Sequence, residues 1–157
     1  MNIKPIGVIY SPLISLDNMP IQPVGAGDVE GEVVLDAKYA DGLSDLDGFS
    51  HAYLIYVFHK AGAPKLRVTP YLDKLPRGVF ATRSPLRPNP IGLSIVEIGG
   101  ISGNRMRIRG VDILDGTPLL DIKPYLPQFD HRENASTGWM RAARETIENI
   151  RSDKRFT

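Results

Sequence analysis

There is no cysteine among the 157 residues. That absence removes thiolate zinc sites, iron–sulfur clusters, cysteine nucleophiles and a disulfide scaffold together. No apolar run approaches the roughly 20 residues that cross a bilayer, and the start Met1-Asn2-Ile3-Lys4-Pro5 has no apolar signal core. A cytoplasmic location is therefore expected. The net charge is only +1, so bulk charge selects no partner. A Walker phosphate loop, a serine nucleophile elbow and the HExxH zinc motif are also missing. Gly25-Ala26-Gly27-Asp28-Val29-Glu30-Gly31 superficially resembles a nucleotide-binding glycine loop. Such a loop needs a strand before it and a helix after it; here Pro20 and Pro23 precede and a strand pattern follows, which excludes it. His51 and His59 lie eight residues apart and are expected on one face of a single strand. Two histidines without a third ligand imply no metal.

What is present is an ordinary globular composition, 42% hydrophobic and 24% charged, in a chain long enough for one domain with a real core. Glycine (15) and proline (13) are both abundant, which implies many turns and few long helices. Ile6–Tyr10, Val29–Leu35, Ala52–Phe58, Leu66–Thr69, Gly78–Ala81, Leu93–Ile98, Met106–Ile113 and Leu119–Ile122 read as strands, with Ala52–Phe58 the most central. Asp41-Gly42 and Asp47-Gly48 flank at most one helical turn. About eight short strands over ~125 residues imply a barrel or a sandwich. Proline stops at Pro127. Beyond it Trp139, Met140, Ala143, Ile147 and Ile150 share a helical face, and Arg141–Glu145 and Arg144–Glu148 are spaced as ion pairs on the other. One helix over 137–151, capped by Ser136 or Thr137, is predicted. The organisation expected is a β domain over 1–133, followed at 134–157 by a helix and charged tail that do not form a domain of their own.

Charge is unevenly distributed. Residues 1–50 carry eight acids against two bases, and residues 51–109 carry ten bases against two acids. A basic middle third suits an anionic partner, although the two segments could equally pair with each other across the fold. Arg105, Arg107 and Arg109 alternate with Met106 and Ile108, so a strand would present all three from one face. That row could follow a phosphate backbone together with Arg67, Lys74 and Arg77, or it could be a solvated face.

Two segments concentrate chemistry. In Thr82-Arg83-Ser84-Pro85-Leu86-Arg87-Pro88-Asn89-Pro90-Ile91-Gly92, three prolines stiffen a loop that carries Arg83, Ser84, Arg87 and Asn89 as pre-organised polar groups. The alternative is a stiff turn whose arginines cap nearby carbonyls. In Asp112-Ile113-Leu114-Asp115-Gly116-Thr117-Pro118-Leu119-Leu120-Asp121-Ile122-Lys123-Pro124-Tyr125, the Asp-Gly-Thr-Pro turn offers backbone N–H groups, a hydroxyl and a carboxylate suited to an amine or a ribose. An ordinary hairpin turn between two strands is the plainer reading.

These two segments, together with Ile6-Gly7-Val8-Ile9-Tyr10-Ser11-Pro12, Pro20-Ile21-Gln22-Pro23 and Phe49 through His59, resemble the TsaA-like (YaeB/TrmO) family over about residues 3–130. The resemblance implies an all-β fold, a small closed barrel that is not a Rossmann domain and that forms a homodimer. It implies binding of S-adenosyl-L-methionine and methylation of the exocyclic nitrogen of threonylcarbamoyl-adenosine beside the tRNA anticodon. By the same resemblance the cofactor-binding positions are Pro20, Ile21, Gln22, His59, Lys60, Arg83, Leu93, Asp115, Gly116, Thr117 and Pro118. Bacterial members continue into a sizeable C-terminal domain, where this chain has a short helix and tail. Within the set, Arg83 or Lys60 suits the donor's carboxylate, Leu93 its adenine face, and Asp115 its ammonium or ribose. Arg87, Asn89, Arg105, Arg107 and Arg109 are the expected tRNA contacts. The acceptor nitrogen is urea-like and must lose a proton, for which Asp115, Asp121 and His59 are candidates. A non-enzymatic S-adenosylmethionine- or RNA-binding protein and a small-molecule methyltransferase are the alternatives.

Overall fold

The computed structural model describes residues 1–142 and 144–156. Eight strands follow in chain order: β1 (Gly7–Tyr10), β2 (Glu30–Leu35), β3 (His51–Val57), β4 (Arg67–Val68), β5 (Arg77–Gly78), β6 (Ile91–Ser102), β7 (Arg105–Arg109) and β8 (Thr117–Pro124). Six close into an antiparallel barrel in the order β1-β2-β7-β6-β3-β8, with β8 returning to β1. Closure leaves no unpaired strand edge, so every barrel strand has two neighbours to satisfy its backbone. β4 and β5 form a two-stranded ribbon outside the barrel.

The alternating sequence pattern sets which side chains point inward. Along β3, Ala52, Leu54 and Tyr56 are buried; along β7, Met106 and Ile108 are buried between exposed arginines. Leu54, Tyr56, Met106 and Ile108 join Ile9, Val33, Leu35, Val96 and Leu119 in one continuous core. A smaller cluster, Val68, Val79 and Leu86 with Phe156 against it, anchors the proline-rich loop.

Four expectations are corrected. The 137–151 helix is reduced to α2 (Arg144–Asn149), preceded by a single turn, α1 (Pro127–Asp130). Gly138 takes φ +59, and Trp139 leaves the helical path so that its indole N–H reaches the Ala81 carbonyl at 2.7 Å. Docking onto the barrel loops thus overrides helical periodicity. Ser136 and Thr137 consequently cap no helix; the Thr137 carbonyl instead accepts the Met140 N–H at 3.1 Å. Of the two predicted ion pairs, Arg144–Glu148 forms at 2.9 Å, whereas Arg141 precedes the helix. Ala143 lies outside the described residues. Second, the Asp-Gly-Thr-Pro turn joins no hairpin, because β7 and β8 do not pair: β7 lies between β2 and β6, and β8 between β3 and β1. Third, β3 ends at Val57, so His59 falls in the following turn and does not share a strand with His51. The Asp-Gly region after β2 also holds a 3₁₀ segment, Ala37–Leu43, longer than one turn.

Candidate active site

A cleft of about 870 Å³ opens beside β3 and β6, within the range of small-molecule sites. Its floor is Tyr56, Gly92, Leu93 and Asp112; its walls come from the 16–24 loop, the turn after β3, the proline-rich loop and the C-terminal segment. Gly92 is required at the floor: a Cβ there would run into the Tyr56 ring.

Eight of the expected cofactor positions line this cleft: Pro20, Ile21, Gln22, His59, Lys60, Arg83, Leu93 and Thr117. Sixty residues apart in sequence, Arg83 Nη1 and Gln22 Oε1 meet at 2.7 Å, so the guanidinium and the 16–24 loop hold each other in place. The Thr117 hydroxyl donates to the Leu114 carbonyl at 2.6 Å. Its single proton is thereby used, so His59 Nδ1, 3.3 Å away, is the donor to Thr117 Oγ1. Burial, followed by the neighbouring Lys60 charge, lowers the His59 pKa below its ordinary value against the opposing pull of the Val57 carbonyl. Both effects favour the neutral ring.

Other expected site residues are placed elsewhere. Asp115 Oδ1 accepts the Ser11 N–H at 3.0 Å and Asp115 N–H reaches Leu13 at 2.8 Å, so this residue ties the turn to the chain after β1. Gly116, at φ +73, makes the turn, and Pro118 pairs with Val8 in the barrel; none of these three lines the cleft. The Asp121 carboxylate pairs with Lys123 at 2.8 Å, also away from the cleft. Arg87 lines the cleft, but its Nη1 donates to the Val79, Thr82 and Ser84 carbonyls at 3.2, 2.7 and 3.5 Å. Its evident work is to clamp the loop, the capping role that a stiff turn offers. Asn89 is exposed outside the cleft.

Arg105, Arg107 and Arg109 do project together from β7. The row lies beside acids, however: Arg105 pairs with Glu32 at 2.6 Å, and Arg109 stands 3.9 Å from both Glu30 and Glu97. Among the described residues Arg107 has no ion pair.

The structure adds groups that the sequence did not single out. Tyr56 Oη lies 3.0 Å from Ser94 Oγ, and Ser94 Oγ donates to Asp112 Oδ1 at 2.7 Å. The chain of hydroxyls therefore points at the carboxylate. Burial pushes Asp112 up to about 6, against the lowering effects of the Ser94 hydrogen bond, its own backbone N–H and Arg83. Burial, then the Asp112 charge, pushes Tyr56 up as well, so the phenol stays protonated. Tyr53 adds an aromatic wall, edge-on to Tyr125 at 5.7 Å. The far wall is C-terminal: Trp139, Met140, Ile147 and Phe156. That segment is stitched down at Ser152, whose N–H and Oγ bond Met19 and Leu16 carbonyls at 2.8 and 2.6 Å and whose Oγ and carbonyl accept the Met19 and Asn18 N–H groups at 2.8 and 2.9 Å. The indole of Trp139 and the adjacency of Asp112 to the Asp-Gly turn were visible in the sequence, but nothing in the spacing joined them to one cavity.

A closed antiparallel barrel with a largely apolar cleft beside β3 and β6, lined by the cations Lys60 and Arg83 and by the Asp112 carboxylate, defines a β-barrel ligand-binding protein of non-Rossmann type. Residues 8–131 match the family described as the tRNA-methyltransferase O N-terminal domain, and the chain belongs to that family. It is 51% identical over 153 residues to a probable S-adenosyl-L-methionine-binding protein of Pyrococcus abyssi, covering 98% of this chain and 83% of that one. It is 40% identical to a tRNA (adenine(37)-N6)-methyltransferase of Escherichia coli, covering 88% of this chain and 63% of that one. The crystal structure of TrmO from Pseudomonas aeruginosa superposes with a TM-score of 0.75 at 36% identity, covering 88% of this chain and 62% of that one. The chain thus spans less than two thirds of the length of those two bacterial proteins.

Proposed function

We propose that this protein is an S-adenosyl-L-methionine-dependent tRNA methyltransferase that modifies the exocyclic nitrogen of threonylcarbamoyl-adenosine next to the anticodon. The observation that carries the reading is the convergence of Pro20–Gln22, His59–Lys60, Arg83, Leu93 and Thr117 on one cleft from five separate stretches of chain. The donor set fits the cofactor chemically. Arg83, with most of its N–H donors free of described partners, and Lys60 suit a carboxylate; the exposed Leu93 and Ile95 suit an adenine face; Asp112, whose carboxylate is not held by a cation among the described residues as Asp153 is by Arg155, supplies an anionic group for a cationic ligand. When bound, S-adenosylmethionine supplies an electrophilic methyl group on a sulfonium. The protein's part is positioning: the Arg83–Gln22 contact and the clamped proline-rich loop hold the walls rigid, and the C-terminal segment excludes water. Mass analysis of nucleosides from threonylcarbamoyl-containing tRNA, incubated with the protein and S-adenosylmethionine, should yield the N-methylated nucleoside. Unchanged nucleosides would defeat the reading.

One observation favours a second reading. The Pyrococcus relative, of similar length, is named as a binding protein, whereas the bacterial methyltransferase is longer. A protein that only binds the cofactor would give calorimetric binding in the same preparation with no methylated nucleoside.

A homodimer fits the surface. Ile91, Leu93 and Ile95 of β6, which line the cleft, are 42%, 50% and 37% exposed, and Phe80 of the loop before the proline-rich segment is 74% exposed, so apolar surface remains open there. A second copy covering that surface would narrow the cleft. Sedimentation velocity should give a dimer, and Ile91→Lys with Ile95→Lys should give a monomer; a monomeric wild type would dismiss the proposal.

A further inference from the structure

The methyl-acceptor nitrogen has to shed a proton, and the three acceptors expected from sequence fare poorly in the structure. Asp115 is tied to Ser11 and Asp121 to Lys123, both off the cleft. His59 lines the cleft, yet burial and Lys60 already oppose a positive ring. Asp112 differs from all three. It sits in the cleft floor, with one carboxylate oxygen held by Ser94 at 2.7 Å, while Oδ2 accepts no hydrogen bond from another described residue. Every buried side-chain polar atom among the described residues has a partner, so this free oxygen is one that the cleft reaches.

We propose that Asp112 Oδ2 is the proton acceptor for the nitrogen that receives the methyl group, with Ser94 and Tyr56 as positioning residues. This rests on the methyl-transfer reading above. The balance is closed: the nitrogen's N–H bond breaks as its N–C bond forms, the proton passes to Asp112 Oδ2, and the methyl–sulfur electron pair stays with a sulfur that becomes a neutral thioether. A sulfonium cation and a carboxylate anion thereby vanish together. An apolar cleft disfavours separated charge, so it favours this outcome over one that leaves an imidazolium beside Lys60 and Arg83. Ser94 donates to the carboxylate and Tyr56 donates to Ser94, which fixes the direction of both hydroxyls and leaves Oδ2 as the available lone pair. The charged and titratable groups facing Asp112 are Arg83 from the proline-rich loop and Tyr56 from β3. Raised to about 6, the carboxyl is a stronger base than an ordinary aspartate yet still ionised at pH 7.

The test compares wild type, Asp112→Asn and Ser94→Ala in two measurements. The first is single-turnover methyl transfer to unmethylated threonylcarbamoyl tRNA at saturating cofactor, from pH 5 to 8.5. The second is calorimetric binding, without tRNA, of S-adenosylmethionine and of its neutral thioether product S-adenosylhomocysteine over the same pH range. Wild type should show an acid limb near pH 6, and Asp112→Asn should lower the saturated rate at least about 100-fold. Ser94→Ala should keep a measurable rate and move the limb to higher pH, because the hydrogen bond it removes favours the ionised carboxyl. Affinity for the sulfonium should rise roughly three- to tenfold through pH 6 in wild type, rise at higher pH in Ser94→Ala and stay flat in Asp112→Asn, while thioether affinity stays flat in all three. A saturated rate in Asp112→Asn within threefold of wild type would overturn the assignment. So would a loss confined to cofactor affinity, which would make Asp112 a cofactor-holding group, or a limb that Ser94→Ala leaves unmoved. No methyl transfer by wild type would instead overturn the parent reading, and this one with it.

Discussion

Holding a carboxyl in the cleft floor has a stability consequence at Asp112 that pH exposes. Its folded pKa is about 6 against an ordinary 3.8. Between those values the native state binds the proton more readily than the unfolded chain, so stability falls as pH rises through that window and remains lower above it. Asp112→Asn keeps the shape and removes the charge. It should therefore stabilise the protein by up to about 2–3 kcal/mol above pH 6 and by nothing below pH 4, in urea unfolding at pH 3.5, 6 and 8. An offset that does not vary with pH would contradict the burial argument. The two loop arginines should separate by role. Arg87, clamping three carbonyls, should cost about 1.5–3 kcal/mol on Arg87→Ala. Arg83 is exposed and, among the described residues, holds only Gln22, so Arg83→Ala should change stability by under about 1 kcal/mol while weakening S-adenosylmethionine at least about tenfold. Thermal unfolding and calorimetry on both variants check the contrast.

The elements differ in how firmly the sequence specifies them. β3 and β7 alternate cleanly because each faces core on one side and solvent or ligand on the other. The C-terminal segment misled the period-3.6 pattern. Of the expected apolar face, Trp139, Met140, Ile147 and Ile150 are half-buried, but they serve as separate anchors, with Trp139 against Ala81 and Ile147 at the cleft; Phe156, which the pattern did not mark, lies edge-on to Tyr71 at 4.9 Å. The described residues of the C-terminal segment, from Trp139 to Phe156, act as a strap along the cleft. Ending the chain at 133 should leave the barrel's far-ultraviolet spectrum essentially intact. The same truncation should reduce S-adenosylmethionine affinity at least about tenfold, since an apolar wall and the four Ser152 hydrogen bonds go with the strap. Full affinity in the truncated chain would remove the strap from the site.

Across the whole molecule, the acidic first third and basic middle third meet at the β2–β7 junction, where Glu30 and Glu32 stand opposite Arg109 and Arg107. Part of the charge asymmetry is thus matched within the fold. Exposed pairs of this kind contribute under about 1 kcal/mol each, so they do not by themselves bar a phosphate. They do change which arginine counts. Arg107→Gln should lower the salt dependence of tRNA binding by nearly one unit of log–log slope, whereas Arg105→Gln, with Glu32 already at 2.6 Å, should lower it by clearly less. Equal effects from both would mean that Glu32 yields Arg105 to the RNA, and no effect from either would move the RNA surface off β7.

Composition and local pattern by themselves determined the six barrel strands but not Gly78–Ala81, which is mostly a 3₁₀ turn, and they settled the rejection of a Rossmann glycine loop, the stiffness of the proline-rich loop and the row of arginines on one strand face. Each follows from φ restriction or side-chain periodicity within a few residues. The resemblance in its motifs brought most of the cofactor positions. Only the tertiary structure decided which of those positions share a cleft. It alone turned Asp115 and Asp121 away into local hydrogen bonds, set Arg87 to clamping its loop, and laid the C-terminal segment over the site. It alone joined Tyr56, Ser94 and Asp112, which belong to β3, β6 and the approach to β8. Barrel closure sets strands that are distant in sequence side by side, and a buried carboxyl takes its charge state from neighbours that no local pattern names.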